Sequence, residues 1–226
     1  MGQNITTCEE SITLDAGEGY DSYSWSTGET SQEITVNESG NYSVDVGNES
    51  NNNIENNYSI IFDGIDDQIS IPHSSDFNLP YISVLVHVKP NSVGPQESYI
   101  VSKTYDNWSA RNWSIRLGGS GELQVEVRIN DSYYVFTANQ IIHIGQWNKL
   151  ALTYDGQVLK LIHDDIEVIN ESLTGQMTNS NYPICIGEFP PSFQGNWFDG
   201  EIDNVHIWDH ALSLQEINNY MNCLPI

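Results

Sequence analysis

Residues 123–129 read Leu-Gln-Val-Glu-Val-Arg-Ile, with apolar side chains at Leu123, Val125, Val127 and Ile129 and polar ones at each position between them. A repeat of two is that of an extended chain with one face in a core, because successive side chains leave opposite sides of a strand. Comparable segments read at 58–62, 67–71, 82–88, 98–102, 113–117, 133–137, 148–154, 158–163, 182–187 and 202–208. So many short strands, each apolar on one side, cover their apolar faces by stacking two antiparallel sheets. The expected fold is all-β. A single short helix follows near the end, where Ser213 and Glu216 form a capping box and Leu214, Ile217 and Met221 share a face.

The first 47 residues form a smaller all-β pattern. Ile12 and Leu14 alternate, then Tyr23 and Trp25, then Ile34 and Val36, then Tyr42, Val44 and Val46, with glycines between them. Residues 48–57, NESNNNIENN, hold almost nothing that could be buried and read as a solvated linker. The organisation is therefore a small β domain at 1–47, a linker at 48–57, a large sandwich at 58–222 and a tail at 223–226.

Seven basic residues against 31 acidic ones give a net charge of −24. That balance argues against nucleic acid and anionic lipid as partners, since both are held by basic surfaces, and makes cations the natural counterpart. No apolar run is long enough to span a bilayer. The three cysteines, Cys8, Cys185 and Cys223, have neither zinc-site spacing nor an even count. Cys185 sits among inward-facing neighbours and is expected as a buried free thiol. No paired-carboxylate motif, nucleophile elbow, HExxH helix or phosphate loop occurs. The six histidines show no metal-like spacing. These readings point away from an enzyme.

Two resemblances sharpen the picture. LDAGEGYDSYSWSTGETSQEITVNESGNYSVDV, residues 14–46, resembles the small immunoglobulin-like repeats of large surface proteins in Bacteroidetes-type bacteria, with Trp25 at its centre. SIIFDGIDDQISIP at 59–72, ISVLVHVKPNS at 82–92, IVSK at 100–103, WNKLALTYDGQVLKLIHDD at 147–165, ICIG at 184–187 and FDGEIDNVHIWDHALSLQEI at 198–217 together resemble laminin-G-like domains of the concanavalin-A-like jelly-roll class. That resemblance implies a jelly roll used in carbohydrate binding, adhesion or attachment within secreted proteins, often with a structural calcium. It also implies core positions for Trp147 and Trp208. Asp165 stands where such domains usually carry a hairpin glycine.

Candidate site residues follow. In 202–208, Asp203 has the parity of Val205 and Ile207, so alternation points its carboxylate inward, where it needs a cation or hydrogen bonds. With few lysines and arginines available, calcium held by Asp203 with Asp63 answers that need, and backbone N–H donors to both carboxylates answer it equally. Trp108, Tyr133, Tyr134 and Trp197 lie in polar, Asn- and Asp-rich surroundings, either as a sugar-stacking rim or as lids over the sandwich edge. The function expected is a non-catalytic, calcium-binding adhesion or carbohydrate-binding module of a larger secreted, cell-surface protein, with a glycan or cell-surface protein as ligand. A structural spacer or assembly subunit, and an accessory module of a secreted polysaccharide hydrolase, are the alternatives.

Overall fold

A computed structural model of the protein describes residues 11–20, 22–47, 59–94, 97–104, 111–188 and 197–222, the side chains of 221 and 222 excepted. The expected linker, the tail, Cys8, Cys223 and Trp108 lie outside the described residues. The chain divides into two compact units that part between residues 57 and 58.

The first unit contains β1 (Ile12–Asp15), β2 (Ser22–Trp25), β3 (Glu33–Val36) and β4 (Val44–Gly47). β1 pairs with β3 and β2 with β4, giving two small antiparallel sheets. Among its described residues Trp25 and Ile34 are buried, and the Trp25 Nε1 donates to Ser31 O at 2.8 Å, which satisfies the one polar atom the ring takes inside.

The second unit contains β5 (Ile60–Asp63), β6 (Ile69–Ile71), β7 (Ile82–Pro90), β8 (Ser98–Lys103), β9 (Trp113–Leu117), β10 (Glu122–Ile129), β11 (Ser132–Ile141), β12 (Asn148–Tyr154), β13 (Val158–His163), β14 (Ile166–Ser172), β15 (Ile184–Ile186), β16 (Asp199–Trp208) and α1 (Leu214–Asn222). One six-stranded antiparallel sheet runs β14-β13-β12-β7-β16-β5, and the other β11-β10-β9-β8-β15-β6. Alternate residues of both sheets, such as Val84, Val86 and Val88 of β7 and Leu123, Val125 and Val127 of β10, meet in one fully buried core. This is the two-sheet sandwich that the alternation implies, with the single C-terminal helix, and it fits the jelly roll that the laminin-G-like resemblance implies.

The outer faces of the sheets differ. On the first, Leu85, Ala151 and Ile162 are apolar and are covered by Leu212 and Ile217, with Trp208 packed at the side. The helix start is held as expected: Ser213 N and Oγ donate to Glu216 Oε2 at 2.8 and 2.7 Å, and Glu216 N donates back to Ser213 Oγ. Of the residues expected to share one face of the helix, Ile217 is buried and Leu214 is exposed. The outer face of the second sheet is polar.

Alternation fails at one place in β16. Asp203 stands opposite His87, but His206 stands opposite Leu85, so three steps on β16 match two on β7. The extra residue is a bulge at Asn204, whose φ of 50° is in the left-handed region that asparagine tolerates. Ile202 and Val205 consequently share the core side, and Asp203 lies beside His87 on the other. The inward parity expected for Asp203 is thereby corrected.

Candidate functional site

The polar face of the second sheet is built from cross-strand rows. Tyr99, Arg116, Gln124 and Thr137 are successive neighbours across β8, β9, β10 and β11, and Ser102, Ser114, Glu126 and Val135 form the next row. Glu126, which alternation places opposite the core, is nevertheless 0 % exposed. Its carboxylate receives Arg111 Nη1 at 2.7 Å, Arg116 Nη1 at 2.8 Å and Ser114 Oγ at 2.9 Å, and Tyr133 OH donates to it as well. Arg116 also meets Glu97 at 2.5 Å and donates to Tyr99 OH at 2.8 Å.

Arg128 completes the face. Its Nε donates to Arg111 O at 2.8 Å and its Nη1 to Asp131 O at 2.7 Å. The Tyr133 ring carries the Arg111 guanidinium 5.9 Å from its centroid and that of Arg128 at 5.8 Å, both within cation–π range. All three arginines of a chain with only seven basic residues thus converge here. Burial pushes the Tyr99 and Tyr133 hydroxyls well above the usual phenol range, and the Glu126 charge adds to it, so both remain donors.

Such a network is rigid. Deleting Glu126 alone would strand buried guanidinium charge, a cost of about 3–5 kcal/mol. Because so many donors converge on it, Glu126 is an acceptor already in use rather than a base poised for proton abstraction. The arrangement offers a half-buried phenol framed by guanidinium groups.

Just beyond β15, Glu188 is 1 % exposed, and both its carboxylate oxygens lack a hydrogen-bond partner among the described residues. Burial pushes its carboxyl up to about 7. Cys185, opposite Ser102, is free and buried, and burial pushes its thiol up to about 11.

The other expected site residues separate. Tyr134, one step from Tyr133, points to the opposite side, stacks on Phe136 with centroids 6.2 Å apart and packs against the core. Trp197 is half-buried immediately before the buried Phe198. Asp63 is exposed and gathers with Asp66 and Asp67, their carboxylates within 4.8 Å of one another. Asp63 Oδ1 accepts from Ile65 N and Asp67 Oδ2 from Asp63 N, at 2.8 and 3.0 Å. Asp203 accepts from Asn204 N at 2.7 Å. Since Ile202 pairs with Ile60 and Asp199 with Asp63, Asp203 lies four positions along from Asp63, about 13 Å away. One ion cannot bridge them.

With the site laid out, known proteins give it a context. The family model of the concanavalin A-like lectin/glucanases superfamily matches residues 63–218. The chain belongs to this superfamily. No curated protein sequence matches it significantly. Among solved structures, domain 4 of AbnA, an extracellular GH43 arabinanase of Geobacillus stearothermophilus in complex with arabinotriose, is similar at 20 % identity and TM-score 0.58, over 72 % of this chain and 75 % of that one. The CBM40 of a Ruminococcus gnavus IT-sialidase, bound to α2,3-sialyllactose, is similar at 15 % identity and TM-score 0.55, over 71 % and 96 %. A putative carbohydrate-binding protein of Bacteroides ovatus is similar at 11 % identity and TM-score 0.56, over 94 % and 80 %. At these identities what is shared is the fold.

Within this concanavalin-A-like unit, two features were not anticipated. Trp147, expected in the core, is 44 % exposed in the connection from β11 to β12, and Ile144 there and Ile141 at the end of β11 are exposed too. The Arg111–Glu126–Arg116 network was also missed, although three arginines within 18 residues of so acidic a chain are themselves a signal.

Proposed function

We propose that the second unit is a non-catalytic carbohydrate-binding module, and that the polar face of the second sheet around Tyr133, Arg128 and Gln124 is its ligand surface. The observation that carries this reading is the held Tyr133, whose ring is framed by Arg111 and Arg128 and whose hydroxyl is anchored on Glu126. A phenol ring fixed in this way stacks on a sugar at little entropic cost, and neighbouring polar groups select its hydroxyls. Its fold relatives include sugar-bound modules, in agreement with a role as accessory or adhesion module of a secreted or surface protein. The test is a glycan array on the full chain, followed by titration of any hit against Tyr133→Ala. Specific binding weakened at least tenfold by the variant is expected. Silence across the array, or unchanged affinity, overturns the reading.

The exposed Ile141, Ile144 and Trp147 favour a second reading, contact with protein neighbours in an extracellular assembly. Concentration-dependent association abolished by Trp147→Ser, with no glycan binding, would select it. Calcium, in either reading, fits the Asp63, Asp66 and Asp67 turn, whose donors are all oxygen as a hard cation requires. Asp203 takes no part in that turn. Melting in EDTA and in millimolar calcium, for wild type and Asp66→Asn, tests this: a calcium-dependent rise lost in the variant is expected, and equal melting in both media refutes the ion.

A further inference from the structure

The hairpin from β13 to β14 carries a second, chemically different cluster. His163 ends β13 with its ring 0 % exposed. Asp164 and Asp165 form the two-residue turn, with φ of 47° and 69°, the paired left-handed conformations of a type I′ hairpin. This geometry turns the Asp164 carboxylate back over the sheet end. Its Oδ1 accepts from Lys149 N at 2.8 Å, while its Oδ2 lies 3.3 Å from His163 Nε2 and 3.4 Å from His143 Nδ1.

His143 comes from the connection between β11 and β12, and buried Asn148 fixes it there. Asn148 Oδ1 accepts from His143 N at 2.9 Å, and its Nδ2 donates to His143 O at 2.9 Å and Gln146 O at 2.7 Å. Three residues from two separate connections therefore aim one donor atom each at a common point, all within 4.8 Å of one another.

We propose that His143 Nδ1, His163 Nε2 and Asp164 Oδ2 bind a divalent transition ion of the zinc class. Zinc bonds of about 2.0–2.1 Å in a tetrahedron set ligand–ligand edges of about 3.3–3.4 Å. The two edges to Asp164 Oδ2, 3.4 Å from His143 Nδ1 and 3.3 Å from His163 Nε2, have these lengths. Two imidazoles with one carboxylate suit zinc, cobalt, nickel and copper, whereas calcium and magnesium call for oxygen. The His143 side chain is 49 % exposed and that of Asp164 34 %, so the cluster is reached by water from that side.

The carboxylate and the His143 backbone are anchored from behind. Lys149 N holds Asp164, and Asn148 holds the His143 backbone. Asn148 Oδ1, which also accepts from His143 N, lies 2.8 Å from His163 Nε2, so Nε2 carries the ring proton, and Nδ1 is buried without a partner among the described residues. Binding moves that proton to Nδ1, so the ring stays neutral, and requires the contact between Nε2 and Asn148 Oδ1 to open as the ion takes its place. The ion would tie the β13–β14 turn to the β11–β12 connection, two segments that the sheets alone leave to short-range contacts.

The experiment is cobalt titration of the full chain without an affinity tag, with zinc competition, a millimolar calcium control, and the variants His143→Ala and Asp164→Asn. His143 is half-exposed, so its removal leaves the fold intact, and the metal-free melting temperature checks this. Expected are one cobalt per chain with the intense visible band of tetrahedral coordination, displaced by stoichiometric zinc and untouched by calcium. Zinc at a hundredfold excess over its dissociation constant should raise the melting temperature by on the order of 5–10 °C. His143→Ala should lower affinity at least about a hundredfold and abolish the band. Absence of binding in the wild type, affinity unchanged in His143→Ala, or a weak octahedral band removed by calcium would each overturn the proposal, the last assigning the ion to the Asp63 turn.

Discussion

Replacing Glu188 by glutamine should stabilise the protein above neutrality and do little in acid. The Glu188 carboxyl is 1 % exposed, both oxygens lack partners among the described residues, and burial lifts it from an ordinary 4.5 to about 7. A carboxyl raised in the folded state is protonated there while the unfolded chain has already ionised. Below about pH 4.5 both states carry the proton and nothing is lost. As pH climbs from 4.5 to 7 the folded state binds more protons than the unfolded one, so stability falls, and above 7 the loss is complete. At ~1.4 kcal/mol for each pH unit the full effect is about 3 kcal/mol. For a domain of this size that corresponds to on the order of 6–12 °C in melting temperature. Glutamine adds a constant cost for its own unpaired amide, so the informative quantity is the change in the difference between the two proteins across pH. Urea unfolding of both at intervals from pH 4 to 8 measures it. The glutamine variant should gain on the wild type through the window 4.5 to 7 and then hold its lead. A difference that stays flat with pH would refute the argument that Glu188 is buried as an unpaired acid.

His87 acts with the opposite sign. Burial, helped by the Lys149 charge, pulls it from 6.5 down to about 4, so the stability present above 6.5 is lost as pH falls through 4, by about 3 kcal/mol. His87→Gln should flatten that acid limb in denaturant unfolding. Gly187 has φ of 84°, and a Cβ there would lie 2.2 Å from atoms of the Phe62 ring; Gly187→Ala should cost about 2–4 kcal/mol by the same measurement. Cys185, buried with a raised thiol, should resist alkylation in the native protein and react readily in denaturant; rapid native labelling would contradict its placement.

The sandwich was legible because its core strands repeat without interruption. The segments 113–117, 148–154 and 158–163 are strands with the same limits in the structure. β14 was not read, because only Ile169 of its seven residues is buried and its turn carries Asp164 and Asp165 instead of glycine. An edge strand with one buried residue leaves almost no period to detect. Asp203 was misread for a related reason, since a bulge one residue later shifts every following side chain to the other face. The site clusters were harder. Glu126 looks outward by parity, and only the convergence of Arg116 and Tyr133 from β9 and β11, and of Arg111 from the segment before β9, reveals that the face is enclosed. His143 and His163 are twenty residues apart in sequence, and the hairpin register that joins them is not written in spacing.

The pairing of β5 bears on how the second unit would respond to mechanical load. β5 is held to its sheet along four residues, Ile60 opposite Ile202 to Asp63 opposite Asp199, and β16 then runs on past the Ile60 end to Trp208. The chain therefore enters β5 and leaves β16 at the same end of the sheet. Tension applied between residues 59 and 208 would open the β5 ladder from that end, one hydrogen bond after another, rather than shear all of them together. Each bond contributes only about 0.5–1.5 kcal/mol, so sequential loading meets a series of small barriers where parallel loading would meet a single large one. Beside β5 lies a groove of about 170 Å³ lined by Ile60, Phe62, Ile69, Ile186, Ile202 and Val205 together with Asp203 and Asn204, and peeling the strand would remove Ile60 and Phe62 from its wall. Such a strand would yield early under pull while the rest of the two sheets stays intact, making it a force-sensitive latch on the second unit.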